Sequence, residues 1–390
     1  MRAAGLSQAV PADRAPARHS AGGRHDLWLL GVAAAILGLG LVMVASASTA
    51  MAEGEHPGQP LYFLWRQLLY AGLGVALGVG TMRVPLRVWC QLSPSLLLFG
   101  SLLLILTLIP GVGREVNGSF RWIRLGGVNL QPSELAKLFL ILYLAGYLVR
   151  RGEELRTRFS GFLKPMALLV GAAGLLLLEP DYGTTAVLFA TTLGMLFLGG
   201  VPLGRFFGWM ALGLSAMVAL VVAAPYRLQR LWTFVDPWVD PFNTGFQLTQ
   251  ALIAVGRGQW LGVGLGSSVQ KLLYLPEAHT DFLVAVLAEE LGFFGLLALV
   301  GLYGFLVWRA FDLGRWAEAR GEAFGAYVAY GLGLLFGLQA LVNVGVNLGA
   351  LPTKGLTLPL MSFGGSSMVA SCFAIGLLLR LAHELRVGPR

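Results

Sequence analysis

The stretch "HTDFLVAVLAEELGFFGLLALVGLYGFL", residues 279–306, decides what kind of protein this is. From Phe282 onward it stays apolar for longer than the roughly 20 residues a helix needs to cross a bilayer core of about 30 Å. Yet Glu277, His279 and Asp281 stand at its mouth, and Glu289 and Glu290 lie inside it. Ionisable groups at membrane depth are costly and face a cavity or a partner rather than lipid, so this one stretch sets both the fold and the place to look for function.

The apolar pattern recurs along the chain. Of 390 residues, 56% are hydrophobic and only 12% charged, against about 25% charged in a soluble domain. Ten runs qualify as spans: 27–49, 61–82, 87–109, 133–149, 163–178, 183–199, 204–224, 282–308, 325–348 and 363–382. They are continuously apolar rather than alternating, which argues against a β-barrel. The expectation is an all-α polytopic membrane protein of about ten transmembrane helices, with a long ordered periplasmic loop between the seventh and eighth.

The net charge of +8 follows from topology and calls for no nucleic acid. With the N-terminus inside, most Lys and Arg fall in cytoplasmic segments: Arg2, Arg14, Arg18 and Arg24, then 150–164, 309–320 and the C-terminus. The short outer connections 50–60 and 179–182 hold none, which is the positive-inside bias. The chain thus reads as a cytoplasmic tail over 1–26, a membrane domain over 27–383 with outer loops 110–132 and 225–281, and a cytoplasmic tail over 384–390. The first run is too long and starts too late for a signal peptide. Cys90 and Cys372 both fall in spans, so no disulfide framework is expected, and the five His show no zinc spacing.

Two outer loops are long enough to carry function. In the second, "GFQLTQALIAVGRG" (245–258) is amphipathic at helical period, with Leu248, Leu252 and Val255 on one face and Gln247, Gln250 and Arg257 on another. A short helix on the membrane surface fits. Trp232, Trp238, Phe242, Phe246 and Trp260 suit the headgroup level. "GVGLGSS" (262–268) matches no phosphate-binding fingerprint and reads as a flexible turn. "SFGGSS" (362–367) resembles a nucleophile elbow only loosely, and its small residues suit close helix packing. No internal repeat of the kind seen in many secondary transporters is evident.

Candidate chemistry gathers at the outer side. Asp281 could cap the eighth helix or, with Glu277 and His279 beside it, serve as a proton acceptor. Arg121 and Arg124 stand in "FRWIRLGG", Lys137 in "QPSELAKL", Lys354 in "LPTKGLTLPL", and Arg66 near the outer end of the second span. Lys137 could equally pair with Glu134 three residues earlier. Asp181 in "EPDYGTTAV" fits a cap of the sixth span. Cations here could hold a phosphate-rich group and stabilise a departing pyrophosphate. The residues alone point to an enzyme or a transporter for a lipid-linked phosphate substrate.

These motifs, "NGSFRWIRLGGVNLQPSELAKL", "EPDYGT", "LPEAHTDF" with "AEELGF", and "LPTKGLTLPLMSFGGSS", resemble those of the SEDS (shape, elongation, division and sporulation) peptidoglycan glycosyltransferases, in order over roughly 27–385. Lys354 and "DPWVDPFNTGFQLTQALIA" resemble the division-type members; elongation-type members typically lack that lysine. The resemblance implies ten spans with both termini cytoplasmic. It also implies polymerisation of lipid II at the periplasmic face of the inner membrane during septal synthesis, with Asp281 the residue on which activity depends. Arg121 and Lys137 are further positions it points to. Glu179 stands where the family usually has Gln, Tyr182 replaces a usual Leu and Phe363 a usual Tyr.

The expected reaction is an inverting glycosyl transfer. Asp281 acts as general base, Arg121, Lys137 and Lys354 stabilise the leaving pyrophosphate, and Glu277, His279, Asp181 and Arg66 contribute to substrate binding. No cofactor is implied, and a role for a divalent cation stays open. The rival reading is a lipid II flippase, which would want polar groups along a path through the whole membrane. The expected partner is a class B penicillin-binding protein transpeptidase, together with other division proteins. The chain itself lacks a serine-lysine acyl-transfer motif and a periplasmic domain large enough to hold one.

Overall fold

The computed structural model describes residues 26–116, 119–126, 128–222 and 232–387. Among them are ten apolar helices, one at each expected span. They are α1 (Leu27–Glu55), α2 (Tyr62–Arg83), α3 (Leu86–Thr107), α4 (Pro132–Thr157), α5 (Phe159–Leu178), α6 (Tyr182–Leu198) and α7 (Leu203–Val222), then, after a short helix α8 (Phe246–Gly258), α9 (Leu283–Ala319), α10 (Ala323–Asn347) and α11 (Gly365–Val387). Eight are long and apolar enough to cross a membrane; α6 and α7 are shorter apolar helices. At 1.5 Å per residue the 17 residues of α6 still reach about 25 Å. The protein is a multi-pass membrane protein.

Helices α4 and α11 form the centre and bury most of their side chains, while α2 and α3 lie outside. The outward faces of these two carry Leu69, Leu73, Leu98 and Leu102, all exposed and apolar, as lipid contact requires. Small residues allow the closest approach: a Cβ on Gly376 of α11 would lie 2.5 Å from the Gly78 carbonyl of α2. At the end away from the long loops, Asp26 caps α1 by accepting from the Leu29 N–H at 3.2 Å. Arg309 of α9 donates to the same carboxylate at 2.9 Å, which fastens α1 to α9.

Three expectations need correction. The loop 110–132, expected only as a long outer loop, carries an antiparallel sheet of β1 (Gly113–Val116), β2 (Ser119–Leu125) and β3 (Val128–Leu130), in that order. Arg114 pairs with Trp122, and Arg124 with Asn129. Phe120, Trp122 and Ile123 in "SFRWIRL" favour a strand, a local pattern that the search for apolar spans passed over. Next, α9 runs 37 residues, well past 308, and it is broken at Gly292, where φ is 69° and ψ is −165°.

The third correction explains the second. The glycine-rich segment is no flexible turn, because it docks on the break in α9. The Val263 N–H donates to the Glu289 carbonyl at 3.0 Å, Gly264 to Glu290 at 3.1 Å, and Phe293 back to Gln259 at 2.8 Å. A helix interrupted at membrane depth must have its freed backbone groups satisfied by protein, and this segment does so. Gly262, Gly264 and Gly266 all have positive φ. Carboxylates hold the segment in place. Glu289 takes Arg257 at 2.8 Å and the Val269 N–H at 3.1 Å. Glu290 takes Lys271 at 2.8 Å and Ser46 of α1 at 2.7 Å.

Helix α8 packs on α9 and α10 through Leu248, Ala251, Ala254 and Gly258. The buried stripe is therefore rotated from the expected Leu248–Leu252–Val255 face, and Arg257, though exposed, pairs with the buried Glu289. Residues 223–231 of this loop, and the tail 1–25, lie outside the described residues.

The docking predicts a contrast between two glycines of similar φ. A Cβ at Gly262 would overlap the Glu290 carbonyl, whereas at Gly266 it meets open space. Gly266→Ala should cost about 1 kcal/mol for its backbone conformation alone, and Gly262→Ala a further 1–3 kcal/mol or so for overpacking. Thermal unfolding in detergent checks this; equal melting temperatures for the two variants would contradict the docking.

Candidate active site

The segment before α9 is shaped by a tight turn. Glu277 adopts φ 56°, and its carbonyl accepts the N–H groups of Thr280 and Phe282, each at 3.2 Å. Its carboxylate takes the Thr280 hydroxyl at 2.7 Å. The His279 carbonyl accepts from the Phe363 N–H at 3.0 Å, and the His279 ring lies 4.8 Å from Phe63 and 5.2 Å from Phe363. This sequence-predicted binding residue is thus packed between aromatic rings. Burial lowers its pKa and keeps it neutral, with Nδ1 unpartnered.

The turn delivers Asp281 to the mouth of α9, but not as its cap. Phe282 is the capping position and makes no side-chain cap bond. The Ala285 N–H, shared with the Phe282 carbonyl at 3.0 Å, donates to Asn347 Oδ1 at 2.9 Å. Asn347 and Asn343, one turn apart on α10, both donate to the Asp281 carbonyl, at 3.0 and 3.1 Å. Asn343 also reaches the Leu356 carbonyl at 2.6 Å. The backbone of Asp281 is therefore pinned, while its carboxylate accepts no hydrogen bond among the described residues. One oxygen lies 3.0 Å from where a Cβ on Gly355 would sit. Burial, with help from the negative charges of Glu277 and Asp181 and against the pull of Arg121, pushes its pKa up to about 7.

Asp181 caps α6, accepting from the Thr184 N–H at 3.2 Å. Arg121, on β2, donates to the Glu179 carbonyl at 3.0 Å and to the Pro180 carbonyl, so the sheet is tied to the turn between α5 and α6. Lys354 Nζ lies 5.5 Å from the centre of the Tyr182 ring, beside the glycine that faces Asp281. Asp281, Asp181, Arg121, Glu277 and Lys354 thus converge.

Lys137 and Arg66 are placed differently. Lys137 is buried in an ion pair with Glu134 at 2.8 Å, the alternative its sequence spacing offered. Arg66 donates to Tyr62 and Tyr70 at 3.2 and 2.8 Å along its own helix. A groove of about 860 Å³ between α1, α2 and 265–272 is lined by none of these candidates. Among the described residues, no group of three His, Cys, Asp or Glu side chains is placed to hold a metal ion.

Sequence reasoning missed the two asparagines. Their signal was available: two amides four residues apart share one face of a largely apolar helix, where each must find a partner inside the bundle.

The sequence profile of the FtsW/RodA/SpoVE family, described as "Cell cycle protein", matches residues 27–387. A probable peptidoglycan glycosyltransferase FtsW of Nitrosococcus halophilus is 58% identical over 372 residues, which cover 95% of this chain and 96% of that one. Its counterpart in Thioalkalivibrio sulfidiphilus is 57% identical, over 94% of this chain and 92% of its own. Among solved structures, a chain from a peptidoglycan synthase complex superposes with a TM-score of 0.75 at 33% identity, over 94% of this chain and 99% of that one. The rod shape determining protein RodA of Thermus thermophilus gives a TM-score of 0.68 at 32% identity, over 94% and 98%.

The asparagine clamp predicts a local effect. Asn347→Ala removes one of the two acceptors of the Ala285 N–H and one donor from the Asp281 carbonyl, which should cost about 1–3 kcal/mol. Amide exchange in the first turn of α9 should quicken while the rest of that helix stays protected. Unchanged exchange at Ala285 would show that the cap lies elsewhere.

Proposed function

The chain belongs to the FtsW/RodA/SpoVE family of cell cycle proteins, and we propose that it is a peptidoglycan glycosyltransferase that polymerises lipid II at the periplasmic face of the inner membrane during septal wall synthesis. The observation that carries the reading is the state of Asp281: pinned by its backbone, free of a capping duty, and with a carboxyl whose pKa lies near neutrality. A general base works best with a pKa close to the operating pH.

In this reading Asp281 accepts the proton of the acceptor sugar's 4-hydroxyl as that oxygen attacks the anomeric carbon of a second lipid-linked disaccharide. The new glycosidic bond forms with inversion, the bond to the pyrophosphate oxygen breaks, and undecaprenyl pyrophosphate departs with the bonding electrons. Arg121, whose charge acts on Asp281, and Lys354, beside the glycine that faces it, stabilise that departing charge. Lys137 is neutralised by Glu134 and acts through the packing of α4. Glu277 holds the turn, and His279 fixes it to α2 and to the segment before α11.

A flippase reading finds less support. The polar groups deeper in the membrane, Glu289 and Glu290, are taken up by Arg257, Lys271 and backbone amides instead of lining a path. The excess of Lys and Arg in alternate connections supports cytoplasmic termini, with 1–26 and 384–390 as tails and 27–383 as the membrane domain.

The same reading implies a crosslinking partner, a class B penicillin-binding protein anchored by one span. Its support is the similarity to a chain of a peptidoglycan synthase complex that coordinates polymerization and crosslinking. Helix α9 leaves Phe293, Leu297 and Val300 exposed on one face, where such a span could lie.

Asp281→Asn should lower polymer formation from purified lipid II by about 10²–10⁴-fold, since an amide cannot take the proton. The rate of the unaltered protein should rise as pH climbs towards about 7, because only the ionised carboxylate is a base. Near-normal polymer from Asp281→Asn ends the assignment, and flipping without polymer favours the rival. Co-expressed with its cognate transpeptidase, the chain should co-purify with it and polymerise faster in its presence. Separate elution together with equal rates would contradict the partnership.

A further inference from the structure

Glu179 is fully buried at the C-terminal end of α5, and the reaction above does not use its carboxyl. Its surroundings fix where a proton must be. Thr107, the last residue of α3, is equally buried, and its hydroxyl oxygen lies 2.6 Å from the Leu104 carbonyl and within a short hydrogen bond of Glu179 Oε1. A threonine hydroxyl has one proton to give. Two acceptors cannot both be served by it, and a carbonyl oxygen has none to offer. The second proton of this chain of three oxygens must therefore sit on Glu179, which donates to Thr107 as Thr107 donates to Leu104.

The other carboxyl oxygen supports the same assignment. Glu179 Oε2 is buried with no hydrogen-bond partner. Left unpartnered, an ionised oxygen in such a place is far costlier than the carbonyl oxygen of a neutral acid. The charged groups that face Glu179 are Asp181, at the start of α6, and Arg121, on β2. The guanidinium is committed to the carbonyls of Glu179 and Pro180.

We propose that Glu179 is a proton-carrying positioning residue: as a neutral acid it anchors the turn 179–181 to α3 through Thr107, and so holds Arg121 and Asp181 in their places beside Asp281. Ionisation would set a second negative charge next to Asp181 and draw Arg121 off the carbonyls it now binds. Burial, partly offset by the Thr107 bond, pushes the Glu179 pKa up to about 7. Because that value lies above the ordinary one, the stability this group contributes is present at low pH and lost as pH rises through about 7. An amide would play the neutral part at any pH, since its N–H can donate to Thr107. The inference rests on the proposed role of Asp281 for its effect on rate, but not for its proton.

The test compares the unaltered chain with Glu179→Gln and Thr107→Val. Infrared spectra taken a unit below pH 7 should show the carbonyl stretches of two protonated carboxylic acids, Asp281 and Glu179; Asp281→Asn should remove one component, Glu179→Gln the other, and Thr107→Val should move only the component that Glu179→Gln removes. The melting temperature of the unaltered chain should fall between about pH 4.5 and 7 more steeply than that of Glu179→Gln, and the difference should level off above 7. Polymerisation should follow a bell in pH for the unaltered chain. Glu179→Gln should keep the rising limb and at least half of the maximal rate, and lose the falling limb. A spectrum unchanged by Glu179→Gln, or a falling limb that survives it, would overturn the proposal. Should Asp281→Asn remain active, the general-base reading fails, while the spectra and the melting curves still decide the state of Glu179.

Discussion

Inside a bilayer, every backbone N–H and C=O must be satisfied by protein, and the break at Gly292 is where this structure meets that requirement under most pressure. Helix α9 cannot be interrupted there unless other backbone arrives to replace the lost helical bonds. Residues 259–264 arrive, and they stay because Glu289 and Glu290 hold the following amides and cations. The ordered course of the loop, the seating of α8 and the approach of the chain to Asp281 all follow from this one repair.

The second anchor is local to the chemistry. Two amide side chains on α10 grip the Asp281 carbonyl, and one of them also caps α9. The work expected of a capping aspartate is done by Asn347, so the Asp281 carboxylate stays available. The opposite arrangement holds at Asp181, whose carboxylate does cap its helix. Two aspartates with similar sequence settings thus differ in duty, and only the three-dimensional partners tell them apart.

The ten spans were legible because apolar length is a sufficient signal for a helix in lipid. The convergence of Asp281, Asp181, Arg121, Glu277 and Lys354 was foreshadowed by their common side in the topology. What stayed hidden depended on partners far away in sequence. Nothing near Glu290 announces Ser46, which lies 244 residues earlier. The break at Gly292 looks, in sequence, like one more glycine in a run rich in them. Lys137 had two readings, and burial beside Glu134 chose between them. His279 beside two acids suggested a polar site, but the rings that enclose it come from α2 and from the segment before α11. The three strands of 113–130 were overlooked for a different reason: the search for apolar spans passed over a local strand pattern.

The paired glutamates also constrain how the protein is assembled. A charged side chain at the centre of an isolated helix costs on the order of 3 kcal/mol to insert, and α9 carries two in succession. Their cations, Arg257 and Lys271, lie on the segment that leaves the ribosome just before α9 does. The cheapest route into the lipid is therefore for 246–292 to enter as one re-entrant hairpin, already neutralised, rather than as a bare helix followed later by its loop. Ser46 on α1, translated long before, can close onto Glu290 only once that hairpin is in place.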